Sequence, residues 1–566
     1  MLQKLMTAQG ENLTGTPWTV YPRPQMKRAS YLNLNGEWEF STNYGEPEGA
    51  KTIRVPFCPE SELSGIGHHF PEGAALTYRK LVALPEGFNR GKVLLHIGAA
   101  DQIAKVFVNK KELCEHRGGY DAFCVDITDA LQEENEIVIV CVDSLQDQSF
   151  PYGKQVMNRG GMWYTPVSGI WQTVWLESVP ETYIRKLEIE NRDYSVTITT
   201  FPALEGRVIV PELGEYILQN GSVTITPENP KLWSPENPYL YDFAVECGED
   251  RVESYFAIRS LEIKKVGRYP RLCLNGKPYF FHGLLDQGYW PDGLFTPAAA
   301  ECYAEDILAM KALGFNTLRK HIKVEPEEFY YQCDRLGMIV FQDMVNNSDY
   351  NFFRDTALPT IGIQKLDDRN LHPDETSRRE FLREAEATVA QLRSHPCICY
   401  WTIFNEAWGQ FDSDAVFEKF AHFDNTRFVD STSGWFRQKK SDVDSRHVYF
   451  RKVKLKGDGK MPLVLSEFGG KTYRAEGHVF NPDKTYGYGG CKTLEELNAA
   501  VAGLYRNEVL PCIHNGLCAA IYTQVSDVED EINGLVTYDR KIVKLRPETM
   551  FPVAEALRKA MEEACK

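Results

Sequence analysis

A chain of 566 residues with 43% hydrophobic and 25% charged residues has ordinary globular composition, and its length calls for three or four domains. The formal charge of −16 repels a phosphate backbone, and no long basic patch offsets it, which argues against a nucleic-acid role. No stretch approaches the roughly 18 continuous apolar residues of a membrane span. The first eight residues lack the apolar core of a secretory signal, and the 14 cysteines include no C-x-x-C pair or zinc spacing. The expectation is a reduced, cytoplasmic protein.

Residues 1 to about 180 read as all-β. The run 31–40 alternates with the period of two of a half-buried strand. Short strands follow at 92–97, 104–108 and 136–140 between turn residues, and 169–177 closes the unit. From about 181 to 262 a further set (196–199, 208–210, 222–225) fits a small immunoglobulin-like sandwich. After about 263 strands alternate with helices. Phe329, Cys333 and Leu336 share a helical face ahead of a strand at 338–341. Leu382, Ala385, Val389 and Leu392 recur at spacings of three and four until Ser394-His395-Pro396 ends that helix. Repeated βα units over roughly 300 residues predict a (β/α)8 barrel, which places catalytic groups at the C-terminal ends of its strands. A doubly wound sheet shares the periodicity, but no glycine-rich phosphate loop follows an early strand.

Two predicted strands end in a glutamate. One is the run from Cys397 to Phe404, which delivers Asn405-Glu406; the other is Pro462 to Ser466, which delivers Glu467. Paired carboxylates are what glycoside hydrolysis needs, one as proton donor and one as nucleophile. Asn405, beside Glu406, can hydrogen-bond a sugar 2-hydroxyl, so Glu406 is assigned as acid/base and Glu467 as nucleophile. The bland alternative, structural carboxylates at a barrel mouth, explains one such strand better than two.

Over nearly its whole length the chain resembles glycoside hydrolase family 2, the family of β-galactosidases, β-glucuronidases and β-mannosidases. The likeness rests on Leu34-Asn35-Gly36-Glu37-Trp38, on His116 to Phe123, and on Gly169-Ile170-Trp171-Gln172. It continues through Leu274-Asn275-Gly276-Lys277-Pro278, Gly314 to Arg319, Cys333 to Gly337, Asn405-Glu406 and Ser466 to Gly469. The resemblance implies a jelly-roll-like, sugar-binding-like β-sandwich (1–180), an immunoglobulin-like sandwich (181–262) and a catalytic TIM barrel (263–566). It implies the same roles for the two glutamates. It puts Tyr449 where the family has a tyrosine that hydrogen-bonds the nucleophile, and Tyr522 where relatives have a tryptophan shaping the sugar pocket. Arg319, at a strand end, is expected to orient Glu467. His321, Lys323, Asp286 and Gln287 are expected sugar contacts.

Glucuronidases of the family carry an Asn-x-Lys clamp just before a run matching Gly534 to Lys541. Here Glu531-Ile532-Asn533 stands in that place, with Asp527, Glu529 and Asp530 upstream. Like charges in a partly desolvated pocket repel by several kcal/mol, so a neutral, β-galactoside-like substrate is expected unless Lys320 or Lys323 replaces the clamp. β-Glucuronidase, β-mannosidase and a binding-only relative stay open. The mechanism requires no cofactor, and no metal-ligand cluster stands out. The expected partner is a carbohydrate, with neither nucleic acid nor membrane, and a homo-oligomer is allowed.

Overall fold

The computed structural model describes residues 2–44, 51–145 and 147–566. Its first unit is a β-sandwich. One sheet has four strands in the order 31–33, 174–179, 92–97 and 123–126; the other has six, centred on Ala75–Val82 and Asn135–Val142. The period-two reading holds in detail: along Gly36–Thr42, Trp38 and Phe40 are buried and Glu37 and Glu39 exposed. Such alternation is expected of a sheet with one face on a core and one in water. A second sandwich follows, in which three strands (Lys186–Arg192, Ser195–Phe201, Ser222–Ile225) face four. Each sandwich has its own apolar core.

The last unit is an eight-stranded parallel barrel: β1 (Phe281–Asp286), β2 (Thr317–Lys320), β3 (Ile339–Asp343), β4 (Ile398–Asn405), β5 (Phe428–Ser433), β6 (Asp444–Val448), β7 (Leu463–Gly469) and β8 (Leu517–Thr523). β1 pairs with both β2 and β8, which curls the sheet into a barrel rather than an open doubly wound sheet. Every residue of β4 is buried, as a strand walled on both faces requires. Helices cover β2, β3, β4 and β5, but among the described residues none separates β5 from β6 or β6 from β7. Nor does a backbone ladder join β5 to β6. Side chains bridge that seam: the Val429 amide donates to Asp442 (2.8 Å), and the Ser433 and Ser445 hydroxyls meet at 3.3 Å.

The sandwiches are fastened to the barrel by buried polar contacts. Arg259 donates to the carbonyls of Pro396 (2.7 Å) and Ile398 (2.8 Å) at the start of β4. The Trp233 indole donates to the Asp334 carbonyl (2.8 Å) and the Tyr255 hydroxyl to the Asp334 carboxylate (2.7 Å). The irregular segment 147–168 leaves the first sandwich and lies on the barrel mouth, where the Tyr152 hydroxyl donates to the Ser348 carbonyl (2.7 Å). No helix among the described residues is long and apolar enough to cross a membrane.

Between the two sandwiches, Glu177 is fully buried and takes hydrogen bonds from Arg23 (2.7 Å) and Arg28 (3.1 Å), while Arg28 also grips Asp250. Burial works against the Glu177 charge, but Arg23, His96 and Arg28 hold its carboxyl well below the usual range. Removing one partner of a buried pair strands the other, at a cost of about 3–5 kcal/mol. Glu177→Ala is therefore expected to lower the denaturant midpoint of the sandwich transition, followed by Trp175 fluorescence; a loss under about 1 kcal/mol would show that the pair is not structural.

Candidate active site

Glu406 and Glu467 emerge at the C-terminal ends of β4 and β7. A carboxylate oxygen of each lies within 4.8 Å of the other and of a His447 ring nitrogen. Both are buried but open onto a cavity of about 270 Å³. Glu406 sits at φ +49° and Ala407 at φ +66°, left-handed conformations that cost non-glycine residues on the order of 1–2 kcal/mol each. This is strain at the point where the strand turns its carboxyl into the cavity.

The surroundings of the two glutamates differ. Glu467 accepts from Arg319 Nη1 (3.0 Å) on one oxygen and from the Tyr449 hydroxyl (2.8 Å) on the other. Burial and the Glu467 charge push the Tyr449 phenol up, so it remains a donor. Glu406 has neither cation nor phenol as a hydrogen-bond partner; its Oε1 lies 2.8 Å from His447 Nδ1. Charged and phenolic hydrogen bonds aim two donors at Glu467 and position its oxygens as a nucleophile requires. Among the described residues, Glu406, His447 and Glu467 are the grouping with metal-ligating chemistry, but both Glu467 oxygens and both His447 nitrogens already have hydrogen-bond partners.

Arg319 also donates to Asp343 (2.9 Å), the Ser466 carbonyl (3.0 Å) and Asn405 Oδ1 (2.8 Å). That last bond fixes the Asn405 amide; Asn405 is buried and does not line the cavity, and its Nδ2 has no protein partner among the described residues. His321 Nδ1 lies 2.8 Å from the same Asp343. Burial, then the nearby Lys154 charge, lowers His321 to about 4, while Arg319 keeps Asp343 ionised against its burial. The neutral ring therefore gives its Nδ1–H to Asp343 and turns a Nε2 lone pair outward, on a cavity-lining residue. Gln287 lines the cavity too; its Nε2 donates to Gln524 (2.7 Å), and its Oε1 has no protein partner.

Three expected sugar contacts are elsewhere, and the reading is corrected. Asp286 pairs with Lys320 (2.7 Å), which also binds Glu325. Lys323 is 1% exposed and spends its ammonium on Glu325 and the carbonyls of Gly288 and Phe295. Lys323, in the loop that follows β2, has a carboxylate and carbonyls to satisfy it inside the protein, and none of these groups lines the cavity. Tyr522 is wholly buried behind β8, packed on Phe468, with its hydroxyl accepting from the Lys471 amide (2.9 Å). Its neighbour Thr523 faces the cavity instead, because successive residues of a strand point to opposite faces.

The acidic loop is likewise not a free negative wall. Asp527 is clasped by Lys544 (2.6 Å), and Asp530 by Arg159 (2.8 Å) from the first sandwich. Glu529 accepts from the Thr165 amide (3.0 Å). Only Glu531 of this group lines the cavity, with Tyr164 and Asn533 donating to it. Lys154, from the same sandwich segment, lines it as well, with no side-chain hydrogen bond among the described residues. Its ammonium stands 5.6 Å from the ring centres of Tyr164 and Trp408. Lys154, Trp408, Trp435, Tyr486 and Tyr488 are lining residues that the sequence reading passed over. His447 had a signal, since it precedes Tyr449 by two on one strand and so shares its face.

The parallel barrel thus carries two glutamates this close together at the ends of its fourth and seventh strands. Residues 267–543 match the family described as "Glycosyl hydrolases family 2, TIM barrel domain", 181–259 match "Glycosyl hydrolases family 2", and 31–180 match its "sugar binding domain". The chain belongs to glycoside hydrolase family 2. It is 26% identical over 431 residues to a β-galactosidase of Thermoanaerobacter pseudethanolicus, covering 69% of this chain and 54% of that protein. It is 25% identical over 396 residues to the β-glucuronidase of Homo sapiens, covering 60% of this chain and 56% of that protein. The chain thus spans about half the length of these curated relatives. In fold it is similar to a β-D-glucuronidase of Dictyoglomus thermophilum (TM-score 0.72, 18% identity, 96% of this chain, 98% of the other). It is also similar to a β-galacturonidase of Eisenbergiella tayi (TM-score 0.68, 18% identity, 96% and 99%).

Arg319→Lys keeps the charge but loses the planar fork that reaches four groups at once. Its expected cost is on the order of 100-fold in kcat, read by steady-state hydrolysis of whichever 4-nitrophenyl β-glycoside the wild type cleaves. A loss below threefold would show that charge alone suffices.

Proposed function

We propose that the protein is a retaining exo-β-glycosidase working by double displacement. The observation that carries this is the carboxylate pair within 4.8 Å: retention needs about 5–5.5 Å between the groups, whereas inversion needs a wider gap to admit water. Glu467 attacks the anomeric carbon while Glu406 gives its proton to the departing oxygen. Glu406 then takes a proton from the water that frees the sugar. Tyr449 and Arg319 hold Glu467 in place, and Asn405 Nδ2 is free to donate to the 2-hydroxyl as positive charge grows on the ring. His321 Nε2 and Gln287 Oε1 are acceptors for other sugar hydroxyls.

For the sugar we propose a terminal β-galactoside-type hexoside, supported by the Glu531 carboxylate on the cavity wall and by the likeness to a β-galactosidase. A second reading, a β-glucuronide, is favoured by Lys154, whose unshared ammonium suits a uronate carboxylate. The loop argument against that reading no longer holds, because Lys544 and Arg159 neutralise Asp527 and Asp530.

A panel of 4-nitrophenyl β-glycosides separates the two. If the galactoside is fastest and Lys154→Ala leaves it within threefold, the first reading stands. If the glucuronide is fastest and loses about 10–100-fold with Lys154→Ala, the scale of a charged hydrogen bond, the second does. Silence across the panel favours a binding-only relative. Glu467→Gln should abolish the glycosyl-enzyme seen by intact mass; near-normal turnover would remove Glu467 as nucleophile. Glu406→Ala should harm poor leaving groups most and respond to azide, and a uniform loss without rescue would remove Glu406 as acid/base.

A further inference from the structure

Below the cavity, at the seam where β5 and β6 lack a ladder, lies a buried chain of hydroxyl groups that the mechanism above does not use. His447 Nε2 is 3.0 Å from Ser433 Oγ, which donates to Ser466 Oγ at 3.0 Å. Ser466 Oγ is 2.6 Å from Ser445 Oγ and donates to the Arg446 carbonyl at 3.3 Å. Asp430 lies beside the chain and accepts from the Tyr400 hydroxyl at 3.0 Å. All three serines, Asp430 and His447 are buried.

The direction of this chain follows from its ends. Each serine has one proton, and a carbonyl accepts only. Ser466 gives its proton to the Arg446 carbonyl while accepting from Ser433, and Ser445 gives its own to Ser466 at 2.6 Å, so the hydroxyl protons run away from the histidine. The Ser433 proton is spent on Ser466, which leaves a lone pair facing Nε2. Glu467, paired with Arg319, stands 3.6 Å from the same nitrogen and also favours a proton on it.

We propose that the Ser433–Ser466–Ser445 chain, anchored on the Arg446 carbonyl, fixes His447 as the Nε2–H tautomer, so that Nδ1 accepts the proton-bearing oxygen of Glu406 and holds the acid/base in its proton-donating form. His447 and the chain are positioning residues. An ionised Glu406 would face a lone pair at 2.8 Å, which favours taking a proton back from water in the second half-reaction. The groups facing His447 are Glu406, Glu467 and Asp430, with Trp435 against the ring at 5.3 Å. The phenols of Tyr350, Tyr449, Tyr486 and Tyr488 are near Glu406. Gly434 leaves room for the imidazole: a Cβ there would sit 2.9 Å from Nδ1.

The inference rests on Glu406 being the acid/base, and its test is separable from that reading. In ¹⁵N-histidine-labelled wild type, with His447 assigned by its loss in His447→Gln, Nδ1 should be the unprotonated nitrogen near pH 7. A protonated Nδ1 overturns the proposal whatever Glu406 does. In kinetics, Ser433→Ala and Ser466→Ala should each move the alkaline limb of kcat/KM to lower pH by about one pH unit. Loss of activity with the limb unmoved in both would make the chain merely structural. Azide rescue of Glu406→Ala reports independently on the acid/base assignment.

Discussion

The site depends on one guanidinium. Arg319 emerges from β2 and joins Asp343 on β3, Asn405 on β4 and both Ser466 and Glu467 on β7. It is 1% exposed, so its charge has to be matched inside the protein, and Asp343 and Glu467 do that. The arrangement makes the placing of Glu467 a condition of the fold rather than a property of one strand end. A fork with fixed geometry also sets where Glu467 and Asn405 stand relative to each other, which a lysine could not do. Asp343 passes the constraint on by fixing the His321 tautomer, so one cation orders three further side chains around the cavity.

Glu406 lies outside that network and needs to. A proton donor beside a full positive charge would lose its proton to solvent. Its hydrogen-bond partner is a ring nitrogen whose state is set from the interior, through hydroxyls that carry no net charge. The two carboxyls thus lie within 4.8 Å of each other yet answer to different electrostatics, one to a cation and one to a dipole chain. Separating paired carboxyls by environment is how one pocket holds an acid and an ionised group at the same pH.

What could be read from the chain followed from periodicity and strand ends. Trp38 and Phe40 reported a sandwich face, Leu382 to Leu392 a barrel helix, and Glu406 and Glu467 the ends of buried strands. Such signals are local, and each needs only its own segment. Most of the failures were partnerships. Lys323 and Lys320 look like free cations in the sequence and are matched by Glu325, which is equally unremarkable there. Asp527 and Asp530 read as a negative surface because Lys544 and Arg159 arrive from other parts of the chain. Tyr522 was displaced by a single residue of register, which in a strand reverses the face.

Lys154 belongs to the same class of failure, and it bears on why the sandwich is attached at all. It sits between strands, in a stretch with no periodicity, and reaches the cavity only because Tyr152 is bonded to Ser348 and Arg159 to Asp530. Those contacts fasten a loop of the first sandwich across the barrel mouth. The barrel alone would present Glu531 and Asp530 toward solvent; with the loop in place, Arg159 neutralises Asp530, Tyr164 hydrogen-bonds Glu531, and an ammonium joins the wall. The charge that a substrate meets is therefore set by the interface between two domains. A barrel strand end can keep its glutamate while the loop laid over it changes, and that is where the choice of sugar has room to vary without disturbing Arg319.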